Sequence, residues 1–127
     1  MSDRAAMPSE EASLHRPPDV TYHIAPVDVW ESQMFGTSYE PEGFAQEGFI
    51  HCTDTLDELV AVGNRYYQDD PRPFVVLAID CDEVTPDIVY EDERQIFPHI
   101  YGPLNLDAVI SVQPVLRAAD GSFLSMG

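Results

Sequence analysis

The longest unbroken apolar run in the chain is Phe74-Val75-Val76-Leu77-Ala78-Ile79. It is too short for a core helix and rich in branched side chains, so it predicts a strand buried on both faces at the centre of a sheet. Val20 to Ile24 predicts a first strand. In Gly48 to Thr53, period-two alternation places Phe49, His51 and Thr53 on one face and Ile50 and Cys52 on the other. The pattern then changes period. Leu56, Leu59, Val60, Gly63 and Tyr67 recur at helical spacing behind Thr55 and Glu58, which stand three apart as in a capping box, so an amphipathic helix is expected to end at Asp69-Asp70-Pro71. Gly63 on its apolar face would let a strand approach closely. Pro26 ahead of Val27 to Ser32 suits a short helix with Trp30 as a core plug, and Gly36 to Glu47, with two glycines and a proline, predicts a loop over the following strand. Val84 to Tyr90 predicts a weaker strand, and Glu91 to Arg94 a charged turn. Phe97 to Leu104 is stiffened by Pro98 and Pro103. Asp107 to Leu116 predicts a long strand, Asp120-Gly121 a type I′ turn, and Ser122 to Leu124 a return strand. One or two short helices and about six strands without regular βαβ alternation make the class α+β.

The 127 residues suffice for one core. Residues 1 to 18 are polar and end in Pro17-Pro18, so a disordered leader is expected before a single domain over 19–127. No apolar run approaches the roughly 20 residues of a membrane helix, and the leader lacks the apolar stretch of a secretory signal. A cytoplasmic location follows as the expectation. The 23 acidic residues face 6 arginines and no lysine, a formal charge of -17. Such a surface repels phosphate backbones, which argues against a nucleic-acid partner. Cys52 and Cys81 have no metal-ligand spacing and are expected to be small buried thiols.

The candidate chemistry lies in three histidines. His23, His51 and His99 each stand among apolar neighbours in an expected strand or strand edge. Each is either a core histidine with satisfied hydrogen bonds or the lining of a shared pocket. Three histidine ligands would also suit a metal, but separations of 28 and 48 residues match no compact metal signature, and none is expected. Glu91 and Arg94 belong either to a solvated turn or to a site in which the carboxylate orients a ribose hydroxyl and the guanidinium holds a phosphate. Tyr101 suits stacking on a flat ligand as well as it suits a core.

Tyr22-His23-Ile24, Glu47-Gly48-Phe49-Ile50-His51-Cys52-Thr53, Phe74-Val75-Val76-Leu77, Tyr90-Glu91 and Phe97-Pro98-His99-Ile100-Tyr101-Gly102-Pro103-Leu104 together resemble the bacterial family called domain of unknown function 952, over residues 20 to about 124. The resemblance implies a fold similar to the ADP-ribosyltransferases: a split antiparallel sheet with an NAD-binding cleft between its halves. In that superfamily the first-strand motif position contacts ribose and falls at His23, and the second falls at His51. The glutamate that often closes the motif set has no clear counterpart, because the last motif offers His99 and Tyr101. This departure speaks against transfer of ADP-ribose to a protein. It is more similar to the histidine-rich branch that contains the RNA 2′-phosphotransferases, whose substrate the acidic surface disfavours.

The resulting expectation is an ADP-ribosyltransferase-like protein acting on NAD or a related small nucleotide or metabolite. His51, His99 and Glu91 would be catalytic, and His23, Arg94 and Tyr101 would bind the nucleotide. A catalytically silent binding domain of the same fold is the alternative, and a histidine-metal hydrolase the lesser one.

Overall fold

The computed structural model describes residues 17–124. The expected leader therefore lies almost wholly outside the described residues, apart from the exposed Pro17 and Pro18. Eight strands and three helices follow in the order β1 (Val20–Pro26), α1 (Val27–Glu31), β2 (Ser38–Tyr39), α2 (Phe44–Glu47), β3 (Ile50–His51), α3 (Leu56–Tyr66), β4 (Phe74–Asp80), β5 (Asp87–Tyr90), β6 (Pro98–Tyr101), β7 (Leu104–Asn105) and β8 (Val109–Pro114). The strands form two three-stranded antiparallel sheets, ordered β1-β4-β8 and β3-β6-β5, and a two-stranded β2-β7 pair. The class is α+β.

β4 is the centre of its sheet, as its apolar run predicts, and both of its faces are covered. Val75, Leu77 and Ile79 face a core shared with Ile50 and Ile100 of the other sheet, Trp30 and Tyr39. Phe74 and Val76 face α3 in a second core with Ile24, Leu59 and Phe123. Trp30 is buried, as expected of a plug. α3 begins where the capping box places it, with the Thr55 hydroxyl accepting from the Glu58 N–H at 3.2 Å. Cys52 and Cys81 are both buried free thiols.

Several expectations need correction. Gly36 to Glu47 is not a plain loop. Tyr39 pairs with Leu104 and is fully buried, and Phe44–Glu47 forms a helical turn between Gly43 (φ 82°) and Gly48 (φ 81°). The buried aromatic ring anchors what glycine and proline content alone suggests is free. The last long strand starts later, at Val109, because Leu106–Ala108 is a 3₁₀ turn. The Asp120-Gly121 turn is not type I′. Gly121 has φ 90° while Ala119 and Asp120 keep negative φ, Gly121 N–H donates to the Ala118 carbonyl at 3.0 Å, and the return strand is reduced to one bridge between Arg117 and Phe123. A single positive-φ glycine after the turn makes a three-residue loop with a bulge.

Gly63 does permit a close approach, but of the Phe123 ring rather than a strand. A Cβ at this position would stand 2.7 Å from Phe123 Cδ2. Alanine is the better helix former by about 1 kcal/mol, while overpacking a core costs about 1–3 kcal/mol. Gly63→Ala is therefore expected to lower stability by up to about 2 kcal/mol in urea denaturation. A stabilised variant would show that the Phe123 ring is not fixed against the helix.

Candidate functional site

The segment from Ile50 to Asp54 has partners on both of its edges. Toward β6, Cys52 N–H donates to the Pro98 carbonyl at 3.0 Å and Asp54 N–H to that of Ile96 at 2.9 Å. Toward β1, Thr53 and Tyr22 exchange both backbone hydrogen bonds, at 2.8 and 2.9 Å. The Thr21 hydroxyl and the Tyr90 hydroxyl each donate to the Asp54 carboxylate at 2.7 Å, tying both sheets to this joint. A continuing antiparallel ladder would next join Ile24 to His51. It does not: the His51 carbonyl accepts instead from His23 Nδ1–H at 2.7 Å. The lone pair of His23 Nε2 then takes the Tyr39 hydroxyl proton at 3.0 Å. The imidazole stands where a ladder bond would be, and beyond it the two sheets part.

A cleft of about 980 Å³ opens at this divergence. β1 contributes His23, Ile24 and Pro26, and β3 with its continuation contributes His51, Cys52 and Thr53. Backbone groups alternate sides along an antiparallel strand, so the N–H and C=O of Ile24, two residues after Tyr22, face the cleft. α3 lends its Glu58, Ala61, Val62, Arg65 and Tyr66 as the facing wall, and Pro41 to Glu47 closes one side.

His23, His51 and Arg94 all line this cleft; His99, Glu91 and Tyr101 do not. Those three form an adjoining group on the rim, joined to the cleft through His51. His51 and His99 are cross-strand neighbours with ring centroids 5.1 Å apart. Phe49 stacks on His99 at 4.0 Å and meets the His51 edge at 4.9 Å. His99 Nδ1–H donates to Glu91 at 2.9 Å, and the Tyr101 hydroxyl donates to the same oxygen at 2.5 Å. This fixes the neutral tautomer of His99 with its lone pair on Nε2. The Tyr101 hydroxyl, and after it His99, holds the Glu91 carboxyl below the usual range, and Glu91 in turn raises the Tyr101 hydroxyl. His51 is exposed, its Nε2–H shared with the Glu47 carboxylate at 3.2 Å.

Two expected roles meet obstacles. Arg94 is held by Glu58 through two hydrogen bonds of 2.8 and 3.2 Å, so its charge is matched inside the protein, and Glu58 does not serve the capping box with its own side chain. His23 is buried with both nitrogens engaged. The sequence reading passed over Tyr39, Glu47, Arg65 and the backbone of Ile24. Helical spacing from Glu58 through Val62 to Arg65 would have placed that arginine on the same face as Glu58. No three His, Cys, Asp or Glu side chains among the described residues come together as metal ligands.

Burial lowers the His23 pKa from 6.5 to about 4. Between those values the unfolded chain binds a proton that the folded chain refuses, so this contribution to stability is complete above pH 6.5 and declines toward pH 4. The slope reaches at most about 1.4 kcal/mol per pH unit. Glutamine offers a donor and an acceptor without titrating. Urea midpoints from pH 7 to pH 5 are expected to fall more steeply for the native chain than for His23→Gln; parallel profiles would mean that His23 is solvated.

The family model described as "Protein of unknown function (DUF952)" matches residues 24–112, and the chain belongs to that family. No curated protein matches it. Its fold is similar to the crystal structure of protein CC0527 from Caulobacter crescentus, with a TM-score of 0.70 at 21% identity over 83% of this chain and 93% of that one. A double mutant of that protein gives the same values. The solution NMR structure of CC0527 gives 0.64 at 22% identity over 82% and 90%. No helix among the described residues is long and apolar enough to cross a membrane.

Proposed function

We propose that the divergent-sheet cleft binds a small nucleotide of the NAD type, in an ADP-ribosyltransferase-like arrangement with the reacting bond at its histidine rim. The observation that carries this reading is the parting of β1 from β3 at the His23 imidazole, which turns a closed ladder into a cleft with backbone and side-chain hydrogen-bonding groups at its base. A cleft of about 980 Å³ stands at the upper end of the roughly 300–1,000 Å³ usual for small-ligand sites, as a dinucleotide requires. The cleft-facing N–H and C=O of Ile24 complement a carboxamide, which has one acceptor and two donors. Phe97 and Tyr66 give the walls flat apolar faces. His23 serves as floor and as support for Tyr39, and His51 bonds a ribose or phosphate oxygen from the rim.

In the transfer reading, His99 Nε2 takes the proton of an acceptor hydroxyl as that oxygen bonds to the ribose carbon and neutral nicotinamide departs. Glu91 holds the proton on Nδ1 and stabilises the imidazolium that forms. One observation favours the silent-domain alternative instead. All three cleft carboxylates are engaged, Glu42 by Arg72, Glu47 by His51 and Glu58 by Arg94, so none stands free to face a developing ribose cation.

Titration of the native chain with NAD is expected to give saturable binding. His51→Ala should weaken it about two- to tenfold if the lost bond is neutral and up to about a hundredfold if charge-assisted, with a stability change below about 1 kcal/mol because the side chain is largely exposed. No binding by the native chain would sink the nucleotide reading. Nicotinamide release that disappears in His99→Ala while NAD still binds would support transfer; binding without release would leave the silent domain.

A further inference from the structure

We infer that Arg65 is the anion-binding element of the cleft and receives the pyrophosphate of its ligand, an inference that rests on the nucleotide reading for the ligand but not for the anion. The chain has 6 arginines and no lysine, and four of the arginines lie among the described residues. Three of these four are spent internally. Arg72 is held by Asp70 and Glu42, with Asp28 beyond at 3.7 Å. Arg94 is held by Glu58 at 2.8 Å. Arg117 donates to the carbonyls of Tyr67, Gln68, Arg72 and Gly121, at 2.8 to 3.1 Å. Among the described residues Arg65 alone of these arginines has no carboxylate within salt-bridge reach and no side-chain hydrogen-bond partner, and it lines the α3 wall of the cleft.

The balance of charge within the cleft points the same way. Its three carboxylates are matched: Glu42 by Arg72, Glu58 by Arg94, and Glu47 by the His51 N–H. Arg65 is the unmatched charge that remains. On a chain of formal charge -17, the mouth of this cleft is thus where, among the described residues, a phosphate meets a cation not already satisfied. A guanidinium presents a planar fork of donors that fits two phosphate oxygens at once. Glu58 and Arg65 are seven residues apart on one helix face, about 10 Å at 1.5 Å per residue, so the anion subsite lies well along the wall from the Arg94–Glu58 pair. The competing account is that Arg65, in the last turn of α3, merely complements the negative end of the helix dipole.

The test titrates the native chain and Arg65→Gln with NAD and, separately, with inorganic pyrophosphate, and records the thermal midpoint of each. Glutamine keeps the side chain polar and uncharged. The expected result is a loss of about ten- to a hundredfold in affinity for both probes in the variant, with the midpoint unchanged. Native binding of NAD with no loss in the variant would overturn the role of Arg65 while leaving the nucleotide reading in place. Pyrophosphate binding that the variant loses, without NAD binding by either protein, would support the anion subsite and remove the nucleotide reading. A lowered midpoint with unchanged affinities would establish the helix-dipole account, and no native binding of either probe would overturn the inference.

Discussion

The hydrogen bond from His23 Nδ1 to the His51 carbonyl is the point on which the architecture turns. Two sheets that meet edge to edge would ordinarily zip along the whole contact, because each unpaired backbone group at a buried edge costs free energy. Here the zip ends after the Tyr22–Thr53 bridge. The next carbonyl is satisfied by a side chain, so the strands can part without stranding a buried acceptor. In the neutral imidazole Nδ1–H serves the His51 carbonyl and the Nε2 lone pair receives the Tyr39 hydroxyl. Burial keeps it neutral. Tyr39, itself buried by pairing with Leu104 and packed against Trp30, holds the far side of the ring. A cleft, a fixed tautomer and an anchored loop therefore share a single cause.

The acidic composition shapes the site in a less direct way. With so few cations, each described arginine has a distinguishable task, and three tasks are structural. Arg117 closes the carbonyl end of α3 and lies over the Phe123 ring at 4.5 Å, and Arg72 fixes Glu42 beside the cleft. The engagement of Arg72 and Arg94 keeps acidic side chains at the cleft from repelling an anion, because a matched carboxylate projects far less field than a free one. In the anion-subsite reading, an acidic protein can in this way hold a phosphate without a basic surface.

What the sequence made legible were features with a local physical cause. The β4 run, the Thr55 cap and the buried thiols each follow from a few adjacent residues, and all three stand as expected. The convergence of histidines was legible in part: His23 and His51 share the cleft, and His99 joins them only through the rim. The rest depended on partners distant in the chain. That Arg94 meets Glu58 across 36 residues leaves no trace in either neighbourhood. The same holds for Tyr39, whose burial comes from pairing with a two-residue strand more than sixty positions later. Gly63 was recognised as a close approach, but its partner was the Phe123 ring, which one bridge brings back over the helix.

The division between cleft and rim constrains the chemistry more than either part alone. His99 is fixed by Glu91 in the orientation a general base needs, yet it stands outside the cleft, behind His51 and against Phe49. A ligand confined to the cleft would meet His51 and the backbone of Ile24 before it met His99. A reaction using both regions must therefore straddle the rim, with one reactant inside the cleft and the second arriving over the half-buried Phe49 and His99 and the exposed Tyr101. That face carries aromatic edges and one carboxylate already engaged by two donors, so it suits a neutral hydroxyl-bearing partner better than an anionic one. In the transfer reading this favours a small neutral acceptor or water.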